Sequence, residues 1–60
     1  MKWNEVLRMA EDRGYRFFRH CKKHDAYVHP DKKDVLYLER HWGQEVKRGL
    51  LNQLKKQIGF

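Results

Sequence analysis

The sequence predicts an α+β fold in the order α-β-β-β-α, with a three-stranded antiparallel sheet and both helices on one face. Two amphipathic helical patterns flank a central segment that is rich in aromatic and β-branched residues. Turn signals divide that segment into short strands, and successive hairpin connections make neighbouring strands antiparallel. Placing both helices on one face of the sheet is the economical way to bury the apolar side of every element in two layers.

The first helix is predicted over residues 3–13, where apolar side chains recur with the spacing of one helical face. These side chains are those of Trp3, Val6, Leu7 and Ala10. Gly14 follows them and suits the left-handed position that ends many helices. Tyr15 is then expected to pack back onto the last helical turn.

Three strands are predicted over residues 15–20, 24–29 and 35–38, with a proline- and aspartate-containing turn between the second and the third. Side chains alternate between the two faces along each strand. We expect Tyr27 and Tyr37 to be neighbours on the sheet face that the helices leave open.

The second helix is predicted over residues 45–57. Its apolar stripe consists of Val46, Leu50, Leu51, Leu54 and Ile58. Gly49 costs this helix about 1 kcal/mol relative to alanine, and the missing side chain would let the helix approach the sheet closely. Gly59 ends the helix in the same way that Gly14 ends the first.

Size and composition exclude several classes of protein. Sixty residues form one domain, which we assign to residues 1–60. The single cysteine, Cys21, excludes an internal disulfide framework. No apolar run approaches the roughly 18 residues that a membrane span requires, and no secretory signal pattern is present. A cytoplasmic protein that does not enter a membrane is therefore expected.

The net charge predicts a polyanionic partner. The chain carries 14 Lys and Arg against 8 Asp and Glu, which gives a formal charge of +6. The excess lies in residues 14–30 and 42–60, each with four basic residues and one acidic residue. If these segments are adjacent in space, they form one basic surface that attracts nucleic acid by steering and counterion release.

The stretch from Arg19 to Pro30 holds the residues best suited to chemistry on a phosphodiester. It contains three of the four histidines, and Lys22 and Lys23 directly precede His24. Imidazole exchanges protons near neutral pH, and adjacent lysines can hold a phosphate and offset the charge that develops on it. His24 is therefore a candidate general acid or base.

Three other interpretations of these residues remain open. A zinc site would need His20, Cys21, His24 and His29, which lack the two closely spaced ligand pairs typical of structural zinc, so no metal is expected. Cys21 could be a reactive thiol because of the nearby lysines. An RNA-binding domain without catalysis would contact phosphates through its basic side chains. These are Arg19, Lys22, Lys23, Arg40, Lys47, Lys55 and Lys56.

The order of short motifs along nearly the whole chain resembles that of HicA-type toxins, the RNA-cleaving members of HicAB toxin–antitoxin pairs. The matching segments are Gly14-Tyr15, Arg19, His24, Tyr27-Val28-His29-Pro30-Asp31, Arg40-His41, Glu45-Val46-Lys47-Arg48-Gly49-Leu50-Leu51 and Gly59. Three residues depart from the family pattern. Lys22-Lys23 stands where the pattern has Gly-Ser, and Glu39 stands where it has proline.

The resemblance implies a fold like that of the double-stranded-RNA-binding domain, cleavage of mRNA without the ribosome, and neutralisation by a HicB-like antitoxin protein. The catalytic histidine of the family falls on His24, which would act without a metal ion or other cofactor. Loss of the Gly-Ser pair implies weakened cleavage. The alternative function is a non-catalytic RNA-binding module of the same fold.

Overall fold

The computed structural model describes residues 1–60 and has the predicted order of elements. These elements are α1 (Trp3–Asp12), β1 (Arg16–His20), β2 (His24–Val28), β3 (Leu36–Glu39) and α2 (Arg48–Ile58). The strands form one sheet in the order β1-β2-β3, and both pairings are antiparallel. The predicted fold class is thus confirmed. Neither helix has the length and apolar character needed to cross a bilayer.

One hydrophobic core lies between the sheet and the two helices. From the sheet, Leu36 and Leu38 point into it and are completely buried. From α1 come Trp3 and Val6, which lie on the predicted helical face. The rest of the cluster consists of Ala10, Tyr15, Tyr27, Val46, Leu54 and Ile58. Both helices therefore cover the same face of the sheet and leave the other face open.

The prediction that Tyr27 and Tyr37 are neighbours on the open face is wrong. In the β2–β3 pairing Tyr27 lies opposite Leu36, and Tyr37 lies opposite Ala26. Directly opposed residues share a face, and successive residues alternate. Tyr27 therefore joins Leu36 in the core at 6% exposure, whereas Tyr37 is 51% exposed on the open face. The register between the strands, which the sequence pattern does not give, decides the outcome.

The end of α1 is fastened to the end of β2 by His29. Gly14 has the positive φ expected of it, +98°, and Tyr15 packs back on the helix with its N–H donating to Ala10 O (3.1 Å). His29 Nε2 lies 2.8 Å from Arg13 O, and the Asp31 N–H donates to His29 Nδ1 at 3.0 Å. A carbonyl can only accept and an N–H can only donate, so Nε2 carries the proton of a neutral ring.

The second helix begins three residues later than predicted. Glu45 instead forms an isolated antiparallel bridge with Lys2, and the Val46 N–H donates to Met1 O at 3.0 Å. The terminal ammonium group of Met1 also bonds the Glu45 carboxylate at 2.7 Å, which lowers the pKa of that carboxyl. Val46 therefore reaches the core from extended backbone. Gly49 has no atom within 4 Å of a side chain built there, so the expected close approach to the sheet is wrong.

Replacing Gly14 with alanine is expected to destabilise the fold by about 1–3 kcal/mol, because a side chain is strained at positive φ. The added Cβ would also lie 3.0 Å from His29 Nε2. Thermal unfolding measures the change. Gly49→Ala is the matched control, since that site is open, and it should stabilise α2 by up to about 1 kcal/mol. Equal effects of the two substitutions would contradict this account of Gly14.

Candidate active site

The candidate site is built on the end of the β1–β2 hairpin. The Cys21 N–H donates to His24 O at 2.7 Å and closes a tight turn. Lys22 and Lys23 occupy the tip of that turn, and both are exposed. The two lysines that precede His24 in the sequence therefore extend beyond the sheet, where a bound phosphate can reach them.

An irregularity in β1 decides which of its side chains accompany His24. Phe17 pairs with Tyr27 and Arg19 pairs with Ala26, so Phe18 is an extra residue without a partner. Such a bulge changes the face on which every later side chain of the strand lies. Because of it, Arg19 lies on the open face, which is also the face of His24. Two predicted site residues are thus brought to one surface.

Glu39 is the direct neighbour of His24 across the sheet. The two residues are paired between β2 and β3, and His24 Nε2 lies 4.0 Å from Glu39 Oε1. Both side chains are about two-fifths exposed. The distance exceeds that of a hydrogen bond, so the ring is free to turn toward a substrate. A protonated imidazole would form an ion pair with this carboxylate.

Arg40 fixes the turn by hydrogen bonds and contacts Asp25, which lies on the face of the sheet opposite to that of His24. One guanidinium nitrogen donates to Cys21 O at 3.0 Å and to Lys22 O at 2.7 Å, and another donates to Asp25 Oδ1 at 3.3 Å. The sequence predicted Arg40 as an RNA contact. In the structure its N–H groups donate to two protein carbonyls and a carboxylate, so Arg40 also positions the turn.

Asp25 is the only buried charged residue of the chain, at 6% exposure. Besides Arg40, it contacts His20, whose Nδ1 lies 2.6 Å from Oδ1. Burial raises the pKa of the neighbouring Tyr27 phenol, and the carboxylates of Asp25 and Glu11 raise it further. Tyr27 therefore stays neutral at neutral pH and is not a candidate base.

Two small clefts meet at Glu39. One, of about 410 Å³, is lined by Lys22, Lys23, Glu39, Arg40 and His41. The other, of about 250 Å³, includes Glu39 and Lys47 in its lining. Four of the predicted RNA-contacting residues therefore surround the neighbour of His24. The largest cleft, of about 720 Å³, lies elsewhere, between the turn after β2 and the exposed side of α2.

The residues considered for zinc do not converge on one point. His20 is bonded to Asp25, and both ring nitrogens of His29 are taken up by backbone groups. No three side chains of the His, Cys, Asp and Glu types are grouped so as to hold a metal ion. Cys21 is a free, partly exposed thiol.

The comparison with known families identifies the chain. The family model described as "HicA toxin of bacterial toxin-antitoxin" matches residues 3–60. The chain belongs to the HicA toxin family. The resemblance read from the motifs is thereby confirmed, and with it a role as the toxin of a toxin–antitoxin system. No curated protein matches this HicA sequence significantly.

Two residues of the site were not predicted from the sequence. Glu39 was noted only as a departure from the family pattern, and its position opposite His24 depends on the β2–β3 register. Asp25 was assigned no role, and Tyr27, which shares its side of the strand, was expected on the open face. The part that each plays depends on the partner strand, so spacing along the chain could not reveal it.

Arg40→Ala is expected to lower the stability of the protein by about 1–3 kcal/mol, the range for hydrogen bonds that involve charged groups. The cause is loss of the bonds to Asp25 and to the turn carbonyls. Lys22→Ala removes an exposed lysine from the same turn and should change the stability by less than about 0.5 kcal/mol. Chemical denaturation of both variants measures the difference, and equal midpoints would contradict the positioning role of Arg40.

Proposed function

We propose that this HicA-family toxin is an endoribonuclease that cleaves mRNA, with His24 as the proton-transfer group and with no metal ion or other cofactor. The observation that carries the proposal is the placement of His24. Its partly exposed ring lies at the end of a hairpin, directly after a lysine pair, on the same face as Arg19. Membership of the HicA family supports the same assignment.

The proposed reaction is an attack of the ribose 2′ oxygen on the adjacent phosphorus. His24 takes the proton from the 2′-hydroxyl, which is general base catalysis by an imidazole. Lys22 and Lys23 hold the phosphate and offset its developing charge. Glu39, 4.0 Å from the ring, stabilises the imidazolium that forms.

The open face of the sheet is the proposed path of the RNA strand. Arg16 and Arg19 lie on this face, opposite Val28 and Ala26. Tyr37 is also exposed there. Arginines that contact phosphates and an aromatic ring on which a base can stack form a common surface for single-stranded RNA. Lys47 extends the basic surface beyond Glu39.

A HicB-like antitoxin is the proposed protein partner, and the cytoplasm is the proposed location. Neutralisation requires that the partner cover the hairpin end. An acidic surface would match the charge of Arg19, Lys22 and Lys23 and would speed association. Copurification with the product of the neighbouring reading frame tests this part. Free, unbound toxin in the presence of that product would contradict it.

His24→Ala is expected to reduce RNA cleavage by about 10²- to 10⁴-fold, the usual contribution of an acid–base residue, while thermal stability stays nearly unchanged. His29→Ala is the matched control, since His29 bonds only backbone groups. It should lower stability by about 1–3 kcal/mol and leave cleavage intact below its melting temperature. Cleavage by His24→Ala at the wild-type rate would refute the assignment.

Removing the lysine pair is expected to lower the affinity for RNA. It should also make that affinity less dependent on the salt concentration. For single strands, each lost phosphate contact should reduce the slope of log affinity against log salt by roughly 0.7. The double substitution Lys22→Ala, Lys23→Ala would therefore lower the slope by roughly 1.4. Binding titrations at several salt concentrations measure this, in the His24→Ala background so that the RNA stays intact. An unchanged slope would mean that Lys22 and Lys23 do not contact the phosphates of the RNA.

The same titrations separate the nuclease from its alternative, a non-catalytic RNA-binding module. The exposed basic face supports binding under either hypothesis. A binding module would retain intact RNA with wild-type protein at low salt, and His24→Ala would then change nothing. Appearance of cleavage products with wild-type protein alone favours the nuclease.

A further inference from the structure

A second histidine of the hairpin is oriented by a buried carboxylate. His20 Nδ1 lies 2.6 Å from Asp25 Oδ1, and the Asp25 side chain is 8% exposed whereas that of His20 is 68% exposed. The two residues are directly paired across β1 and β2. The ring of Phe17 packs against the imidazole with centroids 4.8 Å apart. One edge of the ring is therefore fixed, and the other edge faces solvent.

This contact defines which nitrogen of His20 is available for chemistry. A carboxylate accepts hydrogen bonds, so the Nδ1–H donates to Asp25 and Nε2 is the exposed atom. A carboxylate that holds an imidazole in one tautomer is the arrangement found in histidine–aspartate catalytic pairs. His29 differs, because both of its nitrogens are engaged by the backbone.

Burial of Asp25 does not by itself require His20. The guanidinium of Arg40 already donates to Asp25 Oδ1 at 3.3 Å, and it is anchored by the carbonyls of the turn. A mostly exposed imidazole adds little to the compensation of a buried charge. The pairing instead restricts the orientation of His20, which is what a group that meets a substrate needs.

The two imidazoles lie on opposite faces of the hairpin end that carries Lys22 and Lys23. His20 pairs with Asp25, on the face that carries Leu38, whereas His24 pairs with Glu39 on the open face. In a displacement at phosphorus, the attacking and leaving oxygens are roughly in line. The groups that remove and supply protons must therefore approach from opposite sides. If Lys22 and Lys23 hold the phosphate at the hairpin end, His20 and His24 on its two faces can approach the phosphorus from opposite sides.

We propose that His20 is a second catalytic residue, which donates a proton to the leaving 5′ oxygen of the RNA while His24 removes the proton from the 2′-hydroxyl. The bond from the 2′ oxygen to phosphorus forms, and the bond from phosphorus to the 5′ oxygen breaks. The products are a 2′,3′-cyclic phosphate and a free 5′-hydroxyl, with one proton gained by His24 and one lost by His20. This inference rests on the proposed ribonuclease function.

His20→Asn tests the proposal, because its amide N–H can replace the bond to Asp25 but cannot transfer a proton. Cleavage is measured on two RNA oligonucleotides with the same sequence. One is unmodified, and the other has sulfur in place of the 5′ bridging oxygen at the linkage that the wild-type protein cleaves. A thiolate leaves without protonation. We expect His20→Asn to lose about 10²- to 10⁴-fold on the unmodified RNA and to keep nearly wild-type activity on the sulfur substrate.

The controls make each outcome decisive. His24→Ala should lose activity on both substrates, since both need the 2′-hydroxyl proton removed. His20→Ala, with its thermal unfolding and RNA affinity measured, gives a second variant if the asparagine perturbs the turn. Wild-type rates for His20→Asn on unmodified RNA, or equal losses on both substrates, would overturn the role of His20 and leave that of His24 standing. Wild-type protein that cleaves neither substrate would overturn the ribonuclease function itself.

Discussion

The site depends on the ion pair between the buried carboxylate of Asp25 and the guanidinium of Arg40. The carboxylate lies at the edge of the core, where an unpaired charge would be costly, and it is compensated by the guanidinium of Arg40 at 3.3 Å. Arg40 in turn fixes the carbonyls of Cys21 and Lys22. One buried charge therefore connects the hydrophobic core to the turn that carries the lysine tip, and it gives a small domain a firm position for exposed functional groups.

The charges around His24 differ from those of the HicA motif that the sequence resembles. The two residues directly before His24 carry positive charges in place of Gly-Ser, and Glu39 carries a negative charge in place of proline. The structure brings these changes together, because Lys22, Lys23 and Glu39 line one cleft. The carboxylate limits the local excess of positive charge and provides an acceptor beside the imidazole. The departures thus form one electrostatic arrangement rather than two unrelated losses.

Periodicity was sufficient to predict the helices, the three strands and their order, because each element has an apolar face of the expected spacing. It was not sufficient for features that depend on pairing between strands. Tyr27 was assigned to the wrong face, and the contacts of Arg40 were not foreseen, since both follow from the register. The start of α2 was misplaced because Val46 fits the helical stripe while lying in an extended segment. His24 was found from its neighbours in sequence, whereas Glu39 and the His20–Asp25 pair require the fold.

The unpaired residue in β1 has a further consequence for how this chain can vary. Because the bulge leaves Phe18 unpaired, Arg19 lies on the open face and His20 reaches Asp25. A regular ladder that included Phe18 would exchange the two, placing the imidazole on the face of His24 and the guanidinium on the face of the buried carboxylate. Deleting Phe18 would instead remove the bulge and keep Arg19 opposite Ala26 and His20 opposite Asp25. The direction of both side chains therefore depends on the bulge as much as on their identity, and a change that straightens the strand would disturb the site more than the loss of Phe18 itself.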